Sequence, residues 1–389
     1  MKVLHISLKP VYPKVDGGCV AIDNFLKLLE IQFGAVDHIC ISTPKHPFQE
    51  NNYAAELSKN VQLLRHFEIN TAVNPFKLIQ SLLTENNYQT DRFYSEEMNN
   101  YLLSVAKSYD YVFLESIYLL PYMEALSGAK KIIVRTHNAE HRIWESKSEV
   151  SNNPLKKIVF SRLSKKLRAY ELENLNKVDG LIHISNDDHE IFRLLLPNIP
   201  QITIPLAIKK EELLTPGNFD LSAINIGFIG SANWQPNFDA IQNLNKVIFP
   251  AIFEKHENAQ LFISGYKTEN IHPEHSAVIN LGTLKNTREL FDRINLFLAP
   301  LTSGSGLKIK IVEAICKGKI VIGSEIAFEG LDFLPNNRIA KTTEDYLQHI
   351  DNILTNRQLK EEVSKQQDTL LQYFGQETLT AKLNTFVNE

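Results

Sequence analysis

INLFLAPLTSGSGLKIKIVEAICKGKIVI, residues 294–322, decides how the rest of the chain is read. It opens with an apolar run, INLFLAP (294–300), and ends inside another, KIVIGSE (319–325). Neither run alternates polar with apolar, so each predicts a strand buried on both faces. Between them Leu301–Ser305 is small and polar. A helix is predicted from about Ser305–Gly306 through Cys316. Strand, loop, helix and strand in so short a span is the βαβ unit of a parallel sheet.

The same rhythm runs outward in both directions. Strand-like runs occur at 3–8, 38–43, 111–116, 131–137, 181–185, 202–208, 224–230 and 260–266. Helical stretches lie between them, at 18–33, 95–108, 155–177, 186–195, 236–256, 286–293, 343–354 and 357–373. With 389 residues the chain is long for one core. The polar segment AIKKEELLTPGNFDLSA (207–223) separates two sets of strands. The reading is α/β, with two Rossmann-like domains, 1–207 and 224–370. A last helix, 378–389, has no evident place in the second sheet and is free to pack back on the first domain.

Bulk properties narrow the class. Apolar content of 43% and charged content of 22% suit a folded globular protein, and a net charge of −4 gives no reason to expect nucleic acid. Cys19, Cys40 and Cys316 follow no metal or disulfide spacing, which fits a reducing, cytoplasmic setting. No apolar run approaches the length of a membrane-spanning helix.

The opening stretch also suggests a ligand. Glycines let backbone approach closely and adopt positive φ. A helix start favours an anion, above all a phosphate. Lys308 and Lys310 add positive charge there, and Glu313 can accept hydrogen bonds from ribose hydroxyls. Gly17 and Gly18 open the helix after the first strand, without the spacing of the GxGxxG dinucleotide fingerprint. No acidic residue closes the second strand, so NAD-linked chemistry is disfavoured. Arg135, His137, Asn138, Glu140 and His141 cluster just past a strand end, as a polar site edge or, through the two histidines, a metal site. The chain has no DxD, so protein cations or helix ends would have to hold a diphosphate in place of a metal. Helix 155–171 is basic and amphipathic, which suits a solvated face or contact with an anionic membrane. Tyr88, Arg92, Phe93 and Tyr94 offer aromatic faces for a sugar ring or for helix packing.

Taken together, these segments resemble a GT-B glycosyltransferase and are similar to the retaining family 4, or group 1, enzymes. The resemblance rests on FIGSANWQPNFDAI (228–241) and on PLTSGSGLKIKIVEAICKGKIVIGSEIAFEGL (300–331). It extends to GG (17–18), THNAEH (136–141) and YELENLNKVDGLIHISNDD (170–188). It implies two domains facing across a cleft and a UDP- or GDP-sugar donor held mainly by the second domain, with no cofactor. By resemblance Lys308 and Lys310 bind the diphosphate with the N–H groups of Gly306 and Leu307, in the loop that also holds Gly304. Glu313 binds the ribose, and Gly17 and Gly18 let the first helix approach the diphosphate. His137, with Asn138 beside it, sits near the reacting carbon. The acceptor is expected to be a glycan or a lipid-linked one, with possible peripheral membrane contact through 155–171. The chain departs from the family where the first glutamate of E-x7-E falls on Ser305, and where GSANW (230–234) lacks the usual arginine. A sugar-nucleotide epimerase of the same fold and a non-catalytic nucleotide-sugar-binding subunit are the alternatives.

Overall fold

A computed structural model describes residues 1–50, 53–84, 87–216, 222–304 and 306–389. Ser305 therefore lies outside the described residues. The chain divides into two compact units. The first comprises residues 1–14, 18–207 and 379–389, and the second residues 15–17 and 208–378. Apart from residues 15–17, the second unit begins at Ile208, and residues 379–389 are counted with the first.

Unit 1 is built on seven strands: β1 (Val3–Ser7), β2 (Val36–Ser42), β3 (Val61–Glu68), β4 (Tyr111–Glu115), β5 (Lys131–Thr136), β6 (Gly180–His183) and β7 (Gln201–Thr203). Their order is β3-β2-β1-β4-β5-β6-β7, and every pairing is parallel. Successive side chains of a strand point to opposite faces. Leu4, Ile6, Ile39, Ile41, Val112, Leu114 and Val134 therefore enter one core layer. Val3, Val36, Cys40, Tyr111, Phe113, Ile133 and Ile182 enter the other. That two-sided burial is why the strands read as unbroken apolar runs.

Unit 2 repeats the design with β8 (Ile224–Ile229), β9 (Ala259–Ser264), β10 (Val278–Gly282), β11 (Leu296–Ala299), β12 (Ile320–Gly323) and β13 (Arg338–Ile339). Their order is β10-β9-β8-β11-β12-β13, again all parallel. In both sheets the chain starts in the middle, builds toward one edge and then crosses to the other side. The crossing leaves a topological switch point between β1 and β4 and another between β8 and β11. In open α/β sheets, ligands bind outside the carboxyl ends of strands at such points.

Two local outcomes differ from the sequence reading. The expected helix at 236–256 is interrupted by a π-turn, Leu244–Ile248, ahead of Pro250. Proline lacks the N–H that would continue the regular ladder, and the wider turn accommodates that loss. The helix expected from Ser305–Gly306 begins at Ile309, with Lys308 as its cap at φ −89° and ψ 92°. Gly304 and Gly306 hold φ of +110° and +74°, outside helical space, so the loop persists to Lys308.

Candidate functional site

In unit 2 the two strands flanking the switch point deliver loops toward the same edge. After β8, Gly230 leads through Trp234 into helix Gln235–Asn243. After β11, Pro300–Lys308 leads into helix Ile309–Cys316. Close backbone packing sets this edge. Gly265, at φ +136°, passes so near Gly230 that an added Cβ would stand 2.1 Å from the Gly230 carbonyl oxygen. A Cβ on Gly230 would stand 2.7 Å from the Asn237 side chain.

That room lets Asn237 turn inward. Its Nδ2 donates to the Ser231 carbonyl at 3.1 Å, and its Oδ1 accepts from Lys310 Nζ at 2.5 Å. Lys310 Nζ also lies 4.4 Å from the centre of the Phe228 ring. Lys310 thus joins the two switch-point loops. Lys308 Nζ donates to the Gly306 carbonyl at 2.5 Å and pairs with Glu329 Oε2 at 2.7 Å. Burial, and then repulsion from the Lys308 ammonium, push the Lys310 ammonium down to about 7. Lys308, capping the helix after the glycine loop, and Lys310, in its first turn, thus place two basic side chains where they repel, and an anion between them would relieve that repulsion.

Glu313 lies within the helix Ile309–Cys316, one turn after Lys310, and Thr287 Oγ1 donates to its Oε1. Burial raises its carboxyl, against the opposing pull of Thr287 and Lys317. The N–H groups of Gly306 and Leu307 belong to the loop and not to a first helical turn, which corrects the expectation that a helix start presents them. Gly304 is exposed, and Leu307 is half-buried.

Unit 1 presents a different chemistry at its own strand ends. Gly17 and Gly18 are the first residues of helix Gly17–Phe33. Glu115, fully buried at the end of β4, gathers three partners. Arg135 Nη1 donates to both its oxygens at 3.0 and 3.1 Å, His5 Nε2 lies 3.1 Å away, and His137 Nε2 meets Oε2. Burial opposes ionisation of Glu115. Arg135, followed by His137, outweighs it and holds the carboxyl well below the usual carboxylate range. Arg135 also donates to the Ala21 carbonyl at 3.3 Å and stacks 4.5 Å over Phe25, tying the strand ends to the glycine-led helix. His137 is the partly exposed member of this cluster.

The loop after β5 is pinned at each step. Asp188 Oδ1 accepts from the Ala139 N–H at 2.7 Å, and Glu171 Oε1 accepts from the Glu140 N–H at 2.9 Å. Tyr118 donates its hydroxyl to Glu140 at 3.0 Å. Burial, then the neighbouring Glu171 charge, push the Glu140 carboxyl up to about 7. Asn138 also hydrogen-bonds Glu140. His137 and His141 are drawn to different carboxylates, Glu115 and Glu171, so the two histidines are not converged on one point. Sequence reasoning missed Glu115, Asn237, Thr287 and Glu329 as site residues. It quoted the segments holding Glu171 and Asp188 without seeing that they fasten THNAEH.

Residues 223–356 match the family model described as "Glycosyl transferases group 1". The match spans both unit 2 lysines, Glu313 and the W-x-P-N asparagine. A Klebsiella pneumoniae protein described as "Uncharacterized 44.6 kDa protein in cps region" is 26% identical over 345 residues, covering 85% of this chain and 84% of that protein. Among solved structures, S. aureus TarM in complex with Fondaparinux, alpha-GlcNAc-glycerol and UDP superposes with a TM-score of 0.69 at 12% identity, over 100% of both chains. Sucrose-phosphate synthase from Thermosynechococcus elongatus gives 0.68 at 13%, over 100% of this chain and 98% of that one. Anabaena HepE in complex with UDP and glucose gives 0.66 at 13%, over 100% of both chains. The fold is therefore GT-B, and within its C-terminal unit residues 223–356 are similar to the group 1 glycosyl transferase model.

Proposed function

We propose that this protein transfers a sugar from a UDP- or GDP-sugar to a glycan or lipid-linked acceptor in the cytoplasm, retaining the anomeric configuration and needing no bound metal. The observation that carries the reading is the glycine loop at the β8–β11 switch point, with Lys308 at its end and Lys310 in the first turn of the helix that follows. This loop lies inside the residues that match the transferase model. Similar folds have been solved with UDP bound.

Breaking the anomeric C–O bond builds positive charge on the sugar and negative charge on the departing diphosphate. Lys308, Lys310 and the N–H groups of Gly306 and Leu307 are the groups to stabilise that leaving charge. Such fixed electrostatic donors are often worth several kcal/mol, on the order of 3–4 for a single donor. Cations of the protein then supply the counter-charge that a metal supplies elsewhere. Retention has the acceptor attack the face from which the diphosphate leaves, with no protein nucleophile. Glu313 takes the ribose hydroxyls in exchange for Thr287. Gly17, Gly18, Gly304, His137 and Asn138 keep the donor-side roles that the resemblance gives them.

Thermal stabilisation against a panel of nucleotide sugars tests this, since a ligand at a hundred times its Kd adds about 2.7 kcal/mol. Lys310→Ala is expected to weaken both nucleotide sugar and free nucleoside diphosphate. Release of free nucleotide from the stabilising donor separates a transferase from a binding subunit. Stabilisation without any turnover, with or without candidate acceptors, would favour the subunit.

A further inference from the structure

Helix Glu140–Val150 and helix Pro154–Leu175 form a hairpin on unit 1. Ser148 Oγ donates to the Lys157 carbonyl at 2.9 Å, and the rings of Trp144 and Phe160 pack 5.6 Å apart. Asn153 caps the second helix, accepting from the N–H groups of Leu155 and Lys156 at 3.0 and 3.2 Å. The second helix buries Leu163, Leu167 and Leu175. Most of the apolar side that the sequence suggested for a membrane is therefore spent on the protein's own core.

What the hairpin leaves out is its tip. Val150, Leu155 and Ile158 are 76%, 75% and 65% exposed, and no helix among the described residues covers them. Leu155 and Ile158 stand one turn apart on one face, which Arg162 and Lys165 continue. Between Ser146 and Ala169 the chain carries seven basic residues: Lys147, Lys156, Lys157, Arg162, Lys165, Lys166 and Arg168. Glu149 is the segment's single acid, in a protein of net charge −4. Lys156, Lys157, Arg162, Lys165 and Arg168 are exposed. Aliphatic side chains held out at a capped tip and ringed by cations match a surface that is apolar beneath and anionic above.

We propose that this tip docks on an anionic lipid bilayer, with Val150, Leu155 and Ile158 entering the headgroup boundary and the lysines and arginines pairing with lipid phosphates. The contact is peripheral, since no helix among the described residues is long and apolar enough to cross a membrane. It is tip-first, in contrast to an amphipathic helix lying flat. The inference goes beyond the transferase reading and holds whatever the donor or acceptor.

Flotation of the full chain with phosphatidylcholine vesicles, with and without phosphatidylglycerol, tests it. Binding is expected only with the anionic lipid and is expected to fall as salt is raised. Lys156→Gln with Lys157→Gln should cut partitioning about thirtyfold, at roughly a factor of five per cation. Leu155→Ser with Ile158→Ser should also abolish flotation. Leu194→Ser, an exposed leucine on another helix of the unit, should leave it unchanged. The substituted side chains are exposed, so equal melting temperatures confirm that the variants fold. Absence of binding to anionic vesicles at low salt overturns the proposal, as does binding that neither double variant reduces. Concentration-dependent dimerisation lost in Leu155→Ser with Ile158→Ser, and no flotation, would assign the tip to a second copy of the chain instead.

Discussion

Lys310 shows how the site's charge is set by its neighbours. Its ammonium is held by Asn237 and lies against the Phe228 ring, while burial and Lys308 push it down to about 7. Near neutral pH a share of the ligand-free protein therefore carries a neutral amine at this position. A diphosphate beside it favours the charged form and raises it again. Binding should then take up protons at pH 7–8. Affinity should be highest below about 7 and should fall as pH rises, by at most about tenfold per unit. Calorimetry of nucleoside diphosphate binding in buffers of different ionisation enthalpy reads the uptake directly. Lys310→Met should lose it, and an uptake that persists in the variant places the proton elsewhere. The lysines themselves were legible in the sequence, because two cations among glycines are conspicuous in a βα loop. Asn237, Glu329 and Glu115 were not, since each meets its partner only when distant strands align. Asn237 sits 73 residues from Lys310, and Glu115 sits 110 from His5.

At the scale of the elements, apolar pattern revealed the strands buried on both faces and the edge strand β7, and missed the edges β3, β10 and β13. β3 is buried only at Val61 and Phe67, β10 only at Val278, and β13 is two residues long. An edge strand has one covered side at most, and its sequence loses the continuous apolar signal. Helix Glu140–Val150 was missed because its exposed face is polar and Trp144 is only half-buried. The same strands carry a liability of a different kind. His5 on β1, His38 on β2 and His183 on β6 are fully buried. Burial lowers His5, lowers His38 further, and brings His183 down to about 4. Their folded values lie below the unfolded value near 6.5, so the unfolded chain binds more protons between the two. These rings should therefore cost stability as pH drops from about 6.5 toward 4, each by up to about 1.4 kcal/mol per unit, while Glu140, raised to about 7, contributes in the opposite direction over part of that range. The depressed Glu115 acts as the rings do, but only lower, below the unfolded carboxylate range. Urea midpoints at pH 7, 6 and 5 for the protein and for His183→Gln isolate one ring's share from that of Glu140, and a slope that the substitution leaves unchanged would mean the His183 ring is not neutral in the native state.

The molecule as a whole is two α/β units, and the second releases its chain back to the first. Ile208 donates its N–H to the Phe374 carbonyl at 2.8 Å and accepts from the Gln376 N–H at 2.9 Å, which ties the start of unit 2 to its end. Helix Gln376–Asn388 then buries Leu379, Leu383, Phe386 and Val387 in a core layer of unit 1. The fit is close. A Cβ on Gly180 would stand 2.6 Å from the Phe386 ring, and Tyr111 donates its hydroxyl to the Val387 carbonyl at 2.9 Å. Four apolar side chains at about 1.5–3 kcal/mol each amount to roughly 6–12 kcal/mol. A domain's whole stability is about 5–15 kcal/mol. Deleting residues 379–389 should therefore unfold unit 1 although the lost segment lies 172 residues beyond Ala207, the unit's preceding end. Unit 2 keeps its own sheet and should survive. Limited proteolysis of the truncated chain is expected to leave a resistant fragment near 208–378 and to degrade residues 1–207. Phe386→Ala, at about 3–5 kcal/mol, should lower the unit 1 transition in calorimetry without moving that of unit 2. If both units of the truncated chain melt together at the original temperature, the terminal helix is not part of the first core.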